Sequence, residues 1–131
     1  MTDDMVGWLR RQLDEIEGDA NAILWDGSGN QVRWDEVGSA TIDIGTEAIH
    51  FGDRTIKNHV MNHDPASVLA DIKAKREIVL MYEAAALSVQ AATGTVLAGG
   101  TKVNLRAYGS VVRQLAQAYA HRPGYQEGWR P

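Results

Sequence analysis

Residues 57–66 read KNHVMNHDPA. His59 and His63 stand four apart, so on a helix both imidazoles project from one face, and a pair at that spacing can share a Zn²⁺ ion. Asp64 follows at once as a third ligand of a site for zinc or manganese, and His50 or His121 could come in from elsewhere in the fold. The segment HVMNH lacks the glutamate that serves as general base in the HExxH metalloproteases. The other reading is a junction between helices. Proline has no N–H and pushes the residue before it out of helical geometry. Pro65 then opens a new helix with Asp64 as its N-cap, and His63 caps the C-terminal end of the helix before it. The junction is the preferred reading, and the metal site stays open beside it.

Two other clusters could do chemistry. Lys57, Lys73, Lys75 and Arg76 would form a basic patch able to meet phosphate. No helix-turn-helix spacing, RNP-type aromatic pair or Gly-rich phosphate loop accompanies them, so a solvated helix face is preferred. Tyr125, Trp129 and Arg130 near the C-terminus combine the residue types that dominate interface hot spots. A clamp of the tail over the core accounts for the two aromatics more simply. Asp43 and His50 share the wet face of neighbouring expected strands and would be an acid–base pair if they met. The serines sit in no nucleophile motif.

The elements that must position these residues are legible from periodicity. Val6, Leu9, Leu13, Ile16, Ala20 and Ile23 alternate at three and four, which predicts an amphipathic helix over 3–24. Thr2 or Asp3 would cap it. DGSGN at 26–30 reads as a turn. Three short strands follow, near Gln31–Asp35, Ala40–Ile44 and Ala48–Phe51, with Gly45-Thr46-Glu47 closing the second hairpin. A short helix over 54–63 leads to the Asp64-Pro65 boundary. A long helix then runs to about Gln90, a Gly-rich loop covers 92–101, and a last helix spans 102–120. The tail from His121 cannot continue that helix past Pro123-Gly124.

Composition bounds the function. The chain has 131 residues, no cysteine and a net charge of −4. Thiolate chemistry and disulfides are excluded, and a reducing cytoplasm is the expected location. Residues 84–101 carry no charge, but their Gly, Thr, Ser and Gln content makes a poor membrane span. Residues 1–53 hold 3 basic and 12 acidic side chains, whereas 54–131 hold 10 basic and 5 acidic. Acidic and basic halves that complement one another are the preferred explanation, and an acidic chain opposes broad phosphate binding.

Three segments carry a family resemblance: WLRRQLDEIE at 8–17, HVMNHDPASVLADIKAKREIV at 59–79 and LAQAYAHRPGYQEGWRP at 115–131. In them the chain resembles a small uncharacterised family, a domain of unknown function, of actinobacteria and their bacteriophages. Its signature is a His-Asp-Pro segment before a long helix with an Ala-Lys-Arg core, then a closing Pro-Gly-Tyr and Trp-Arg-Pro. Arg122, between His121 and Pro123, departs from that pattern. Many members carry a cysteine-containing stretch before the last helix, suggestive of a metal knuckle. This chain has ATGTVLAGGT there, so the resemblance implies no metal at that place. It implies a phage or actinobacterial origin and no particular activity.

The expected fold is α+β: an N-terminal helix, a small three-stranded antiparallel sheet, then one short and two long helices on a common core. The expectation is a single domain over 1–131, with a helix at 1–24, a β-meander at 25–53, a helical unit at 54–121 and a tail at 122–131 folded back. The expected function is that of a non-enzymatic accessory or regulatory protein binding another protein, with a homodimer and no membrane. The alternatives are a metal-dependent hydrolase or nuclease using His59, His63 and Asp64, and an anion- or nucleic-acid-binding role for the basic half.

Overall fold

The computed structural model describes residues 2–24, 32–94 and 98–131. Its elements are α1 (Thr2–Leu24), β1 (Asp35–Gly38), β2 (Thr41–Asp43), β3 (Ala48–His50), α2 (Arg54–Met61), α3 (Pro65–Ala92) and α4 (Ala98–Ala118), closed by a 3-10 turn at Glu127–Trp129. The class is α+β, with the helix first and the three strands antiparallel in the order β1-β2-β3. The expected turn at 26–30, the expected strand start at Gln31 and the middle of the 92–101 loop lie outside the described residues. The chain gathers into two compact units. One is Met1–Leu13 with Lys73–Pro131, and the other is Asp14–Ile72.

In the first unit the apolar stripes do what their spacing predicts. Met5, Val6, Trp8, Leu9 and Leu13 of α1 are buried, as are Val79, Tyr82 and Ala85 of α3 and Val112, Ala116 and Tyr119 of α4. Buried positions at steps of three and four put each helix's apolar side inward. Gly109 on α4 packs against Tyr82, whose ring would meet an added Cβ in ordinary contact at 3.4 Å. Two residues past the end of α3, Gly94 takes φ +82°, a left-handed position that glycine adopts without the Cβ penalty. α4 begins at Ala98, four residues before the expected start, so Gly99 and Gly100 lie in its first turn. Glycine lowers the helical signal of a sequence without forbidding a first turn whose N–H groups need no intrahelical partner.

In the second unit β2 is the central strand and Ile42 is fully buried. Ile42 pairs with Ile49, and Thr41 with His50, so the period-two alternation sets the isoleucines on the face opposite Thr41 and His50. The second hairpin closes as expected: Gly45 takes φ +97°, and Ile44 N–H donates to the Glu47 carbonyl at 3.0 Å. β1 begins at Asp35, where the expected strand ended. The reason is that the preceding residues bond elsewhere. Ala66 N–H donates to the Val32 carbonyl at 2.8 Å, and Trp34 N–H donates to Asp64 Oδ2 at 3.2 Å. Backbone groups committed to the start of α3 are not available to a β ladder.

Candidate functional site

The junction of α2 and α3 is built by two aspartates. Asp53 caps α2, its Oδ1 accepting from Thr55 N–H at 2.7 Å and Ile56 N–H at 3.1 Å. Asp64 caps α3, its Oδ1 accepting from Ser67 N–H at 2.8 Å. Its other oxygen takes the Trp34 N–H, so one carboxylate joins the segment before β1 to the first turn of α3. The side chain is 3% exposed. Burial alone would push its carboxyl up. The Ser67 hydroxyl and N–H, the Trp34 N–H and the Arg33 charge outweigh burial and hold it below the usual aspartate value.

His59 and His63 come together as their spacing predicts, with ring centroids 4.7 Å apart and planes tilted by 43°. His63 Nδ1 lies 2.7 Å from the His59 carbonyl oxygen. A carbonyl only accepts, so Nδ1 carries the proton, and the ring closes the last turn of α2. His63 also borders an apolar hollow of about 220 Å³ with Ile16, Ala20, Ile23, Pro65 and Val68, where Asp19 supplies the one carboxylate. The two imidazoles lie side by side while Asp64 turns both oxygens to backbone N–H groups. Among the described residues no three His, Asp or Glu side chains are grouped to hold a metal ion.

The basic residues do not form one patch. Lys57 is fully buried, with Nζ 2.9 Å from Glu36 Oε1 in the approach of an ion pair rather than an aligned hydrogen bond. On α3, Lys73 and Lys75 lie about 160° apart around the axis. Lys73 is exposed, while Lys75 donates from Nζ to the Tyr119 hydroxyl at 2.6 Å and lies 4.9 Å from that ring's centre. His50 bonds Thr41 Oγ1 at 3.0 Å, and Asp43 accepts from Gly45 N–H at 2.8 Å, so each of the two makes its own local hydrogen bond.

The tail packs in the first unit. Trp8 Nε1–H donates to the Pro123 carbonyl at 2.9 Å. Trp8, Tyr125 and Trp129 form a cluster with centroids 5.5 to 5.7 Å apart. Trp129 is buried, and Arg130 reaches back to Glu127. Two of the three residues singled out for recognition therefore serve packing. Trp8, which anchors them, carries no mark in its own neighbourhood of the sequence, because its partners lie more than a hundred residues on.

The geometry defines a small α+β protein whose two histidines and Asp64 build a capped helix junction. The chain belongs to a family of unknown function (DUF6221), matched over residues 2–131. No curated protein and no solved structure matches it. No described helix is long and apolar enough to cross a membrane.

Proposed function

We propose that the protein is a non-enzymatic accessory or regulatory factor, of actinobacterial or phage origin, that acts in the cytoplasm by binding another protein. The observation that carries this reading is the sheet of the second unit. Its two outer strands, β1 and β3, are exposed at every residue, and they present Val37 at 57% and Ile49 at 37% exposure. An outer strand offers unpaired N–H and C=O groups, which bind an added strand, and apolar side chains beside that edge give the contact selectivity. The aspartate beside the two histidines is occupied in capping a helix, which favours binding over metal-assisted hydrolysis.

The test is affinity capture from actinobacterial lysate with the tagged full chain and with Val37→Lys and Ile49→Lys variants. The expected result is one protein enriched reproducibly by the parent chain and lost with at least one variant. No reproducible enrichment, or equal capture by both variants, overturns the reading.

A further inference from the structure

The outward side of α3 repeats in steps of seven. Lys73, Glu77, Leu80, Ala84, Leu87 and Ala91 follow one another at four, three, four, three and four residues, and all six are exposed. Leu80 is 52% and Leu87 66% exposed, with Met81 beside them at 47%. From Ile78 to Ala92 the only charged residue is Glu83, and Arg10 of the same unit pairs with it. The opposite side of this stretch already fills the core through Val79, Tyr82 and Ala85. Apolar residues all round a helix indicate a second covered side. Grooves flank this ridge on both sides, about 460 Å³ along Val6, Arg10 and Leu87 and about 300 Å³ along Met81, Ser88 and Tyr108.

We infer that the outward seam of α3 is the contact of a two-fold homodimer in which two α3 helices pack antiparallel. The occupant follows from the pattern. A seam with alanine at one heptad position and leucine at the other is self-complementary when reversed. With the two-fold axis between Ala84 and Leu87, Leu80 meets Ala91 of the second copy and Leu87 meets its Ala84, so every layer pairs a large side chain with a small one. The parallel alternative stacks leucine on leucine and alanine on alanine. It also sets Glu77 on Glu77 and Lys73 on Lys73, which repel. The antiparallel register places Glu77 beside Gly94 instead. A contact confined to one helix seam and its groove walls falls toward the low end for specific interfaces, so a micromolar dissociation constant is expected. This seam belongs to the first unit and the strands in the proposal above belong to the second, and its test is independent of any other partner.

The experiment is sedimentation equilibrium of the full chain from about 1 to 300 μM, beside Leu87→Lys. The expected result is a monomer–dimer equilibrium whose dissociation constant rises at least tenfold in the variant, with unchanged helical circular dichroism because Leu87 is exposed. The direction is read by oxidative crosslinking, since the chain has no cysteine of its own. Ala84→Cys lies close to the axis and should crosslink. Ala91→Cys is separated from its own copy by about 16 Å along the antiparallel pair and should not. A parent chain that stays monomeric throughout overturns the inference. So does a dimer indifferent to Leu87→Lys, or an Ala91→Cys variant that crosslinks as readily as Ala84→Cys.

Discussion

Asp64 shows what one side chain settles. Its carboxylate takes a backbone N–H from each of two segments, and hydrogen bonds keep it ionised although it is buried. Asp64→Ala removes a cap and orphans the Trp34 N–H as well, a loss of about 2 to 3 kcal/mol. Asp64→Asn keeps an accepting oxygen and should lose less. The folded-state carboxyl titrates below its ordinary value near 3.8. Its charged form therefore stabilises the fold above that value, and the contribution disappears as pH falls through the lower, native one. Urea unfolding from pH 7 down to 2 should show the parent and Asp64→Asn drawing together in stability at the acid end. A constant gap would mean that the charge does not matter. The cap itself was legible, because Asp-Pro before a periodic run permits little else. The Trp34 contact was not, since nothing near Trp34 marks a partner thirty residues on. Lys57 failed in the same way: a lysine in a polar run reads as surface, and only Glu36, brought near by folding, makes its burial tolerable.

Elements were read best where one period governs a long stretch, as in α1, α3 and α4, each within a few residues at its ends except for the glycine-masked start of α4. The short strands were placed less well, because four residues of alternation yield to any stronger local bond, and the start of α3 supplied one. The outward seam of α3 is hard to read locally, because an uncharged run is as much a membrane signal as a packing one. Glycine separates local propensity from tertiary fit. Gly124 sits at φ +89°, and a Cβ there would lie 2.9 Å from Trp8 Nε1 and 3.1 Å from its Cδ1. The indole cannot move aside, being buried between Tyr125 and Trp129 and bonded to Pro123. Gly124→Ala should therefore cost about 2 to 4 kcal/mol, combining left-handed strain with the clash. Gly18 stands in the exposed part of α1 with nothing within 4 Å of an added Cβ. Gly18→Ala should stabilise by about 0.5 to 1 kcal/mol. Thermal unfolding of both variants reads the contrast, and equal shifts would mean that the turn is not held by Trp8.

At the scale of the whole molecule the charge is unevenly written, −9 in residues 1–53 and +5 in residues 54–131. A basic half suggests an anionic partner only if its charges reach water together. Lys57 is buried beside Glu36, and the Lys75 ammonium is held at Tyr119. Lys73 and Arg76 lie about 60° apart around α3, and Arg76 is itself engaged within the protein. Two phosphate contacts give a salt slope of only about −2 and cannot offset the repulsion of a chain carrying −4 overall. The full chain should therefore bind a fluorescent twenty-nucleotide DNA, single- or double-stranded, no more tightly than about 100 μM at 0.15 M salt. Lys73→Glu and Arg76→Glu should leave anisotropy unchanged. Micromolar binding that weakens steeply with salt and is lost in those variants would show that the basic half does gather at the surface, and would move the functional reading from a protein partner to nucleic acid.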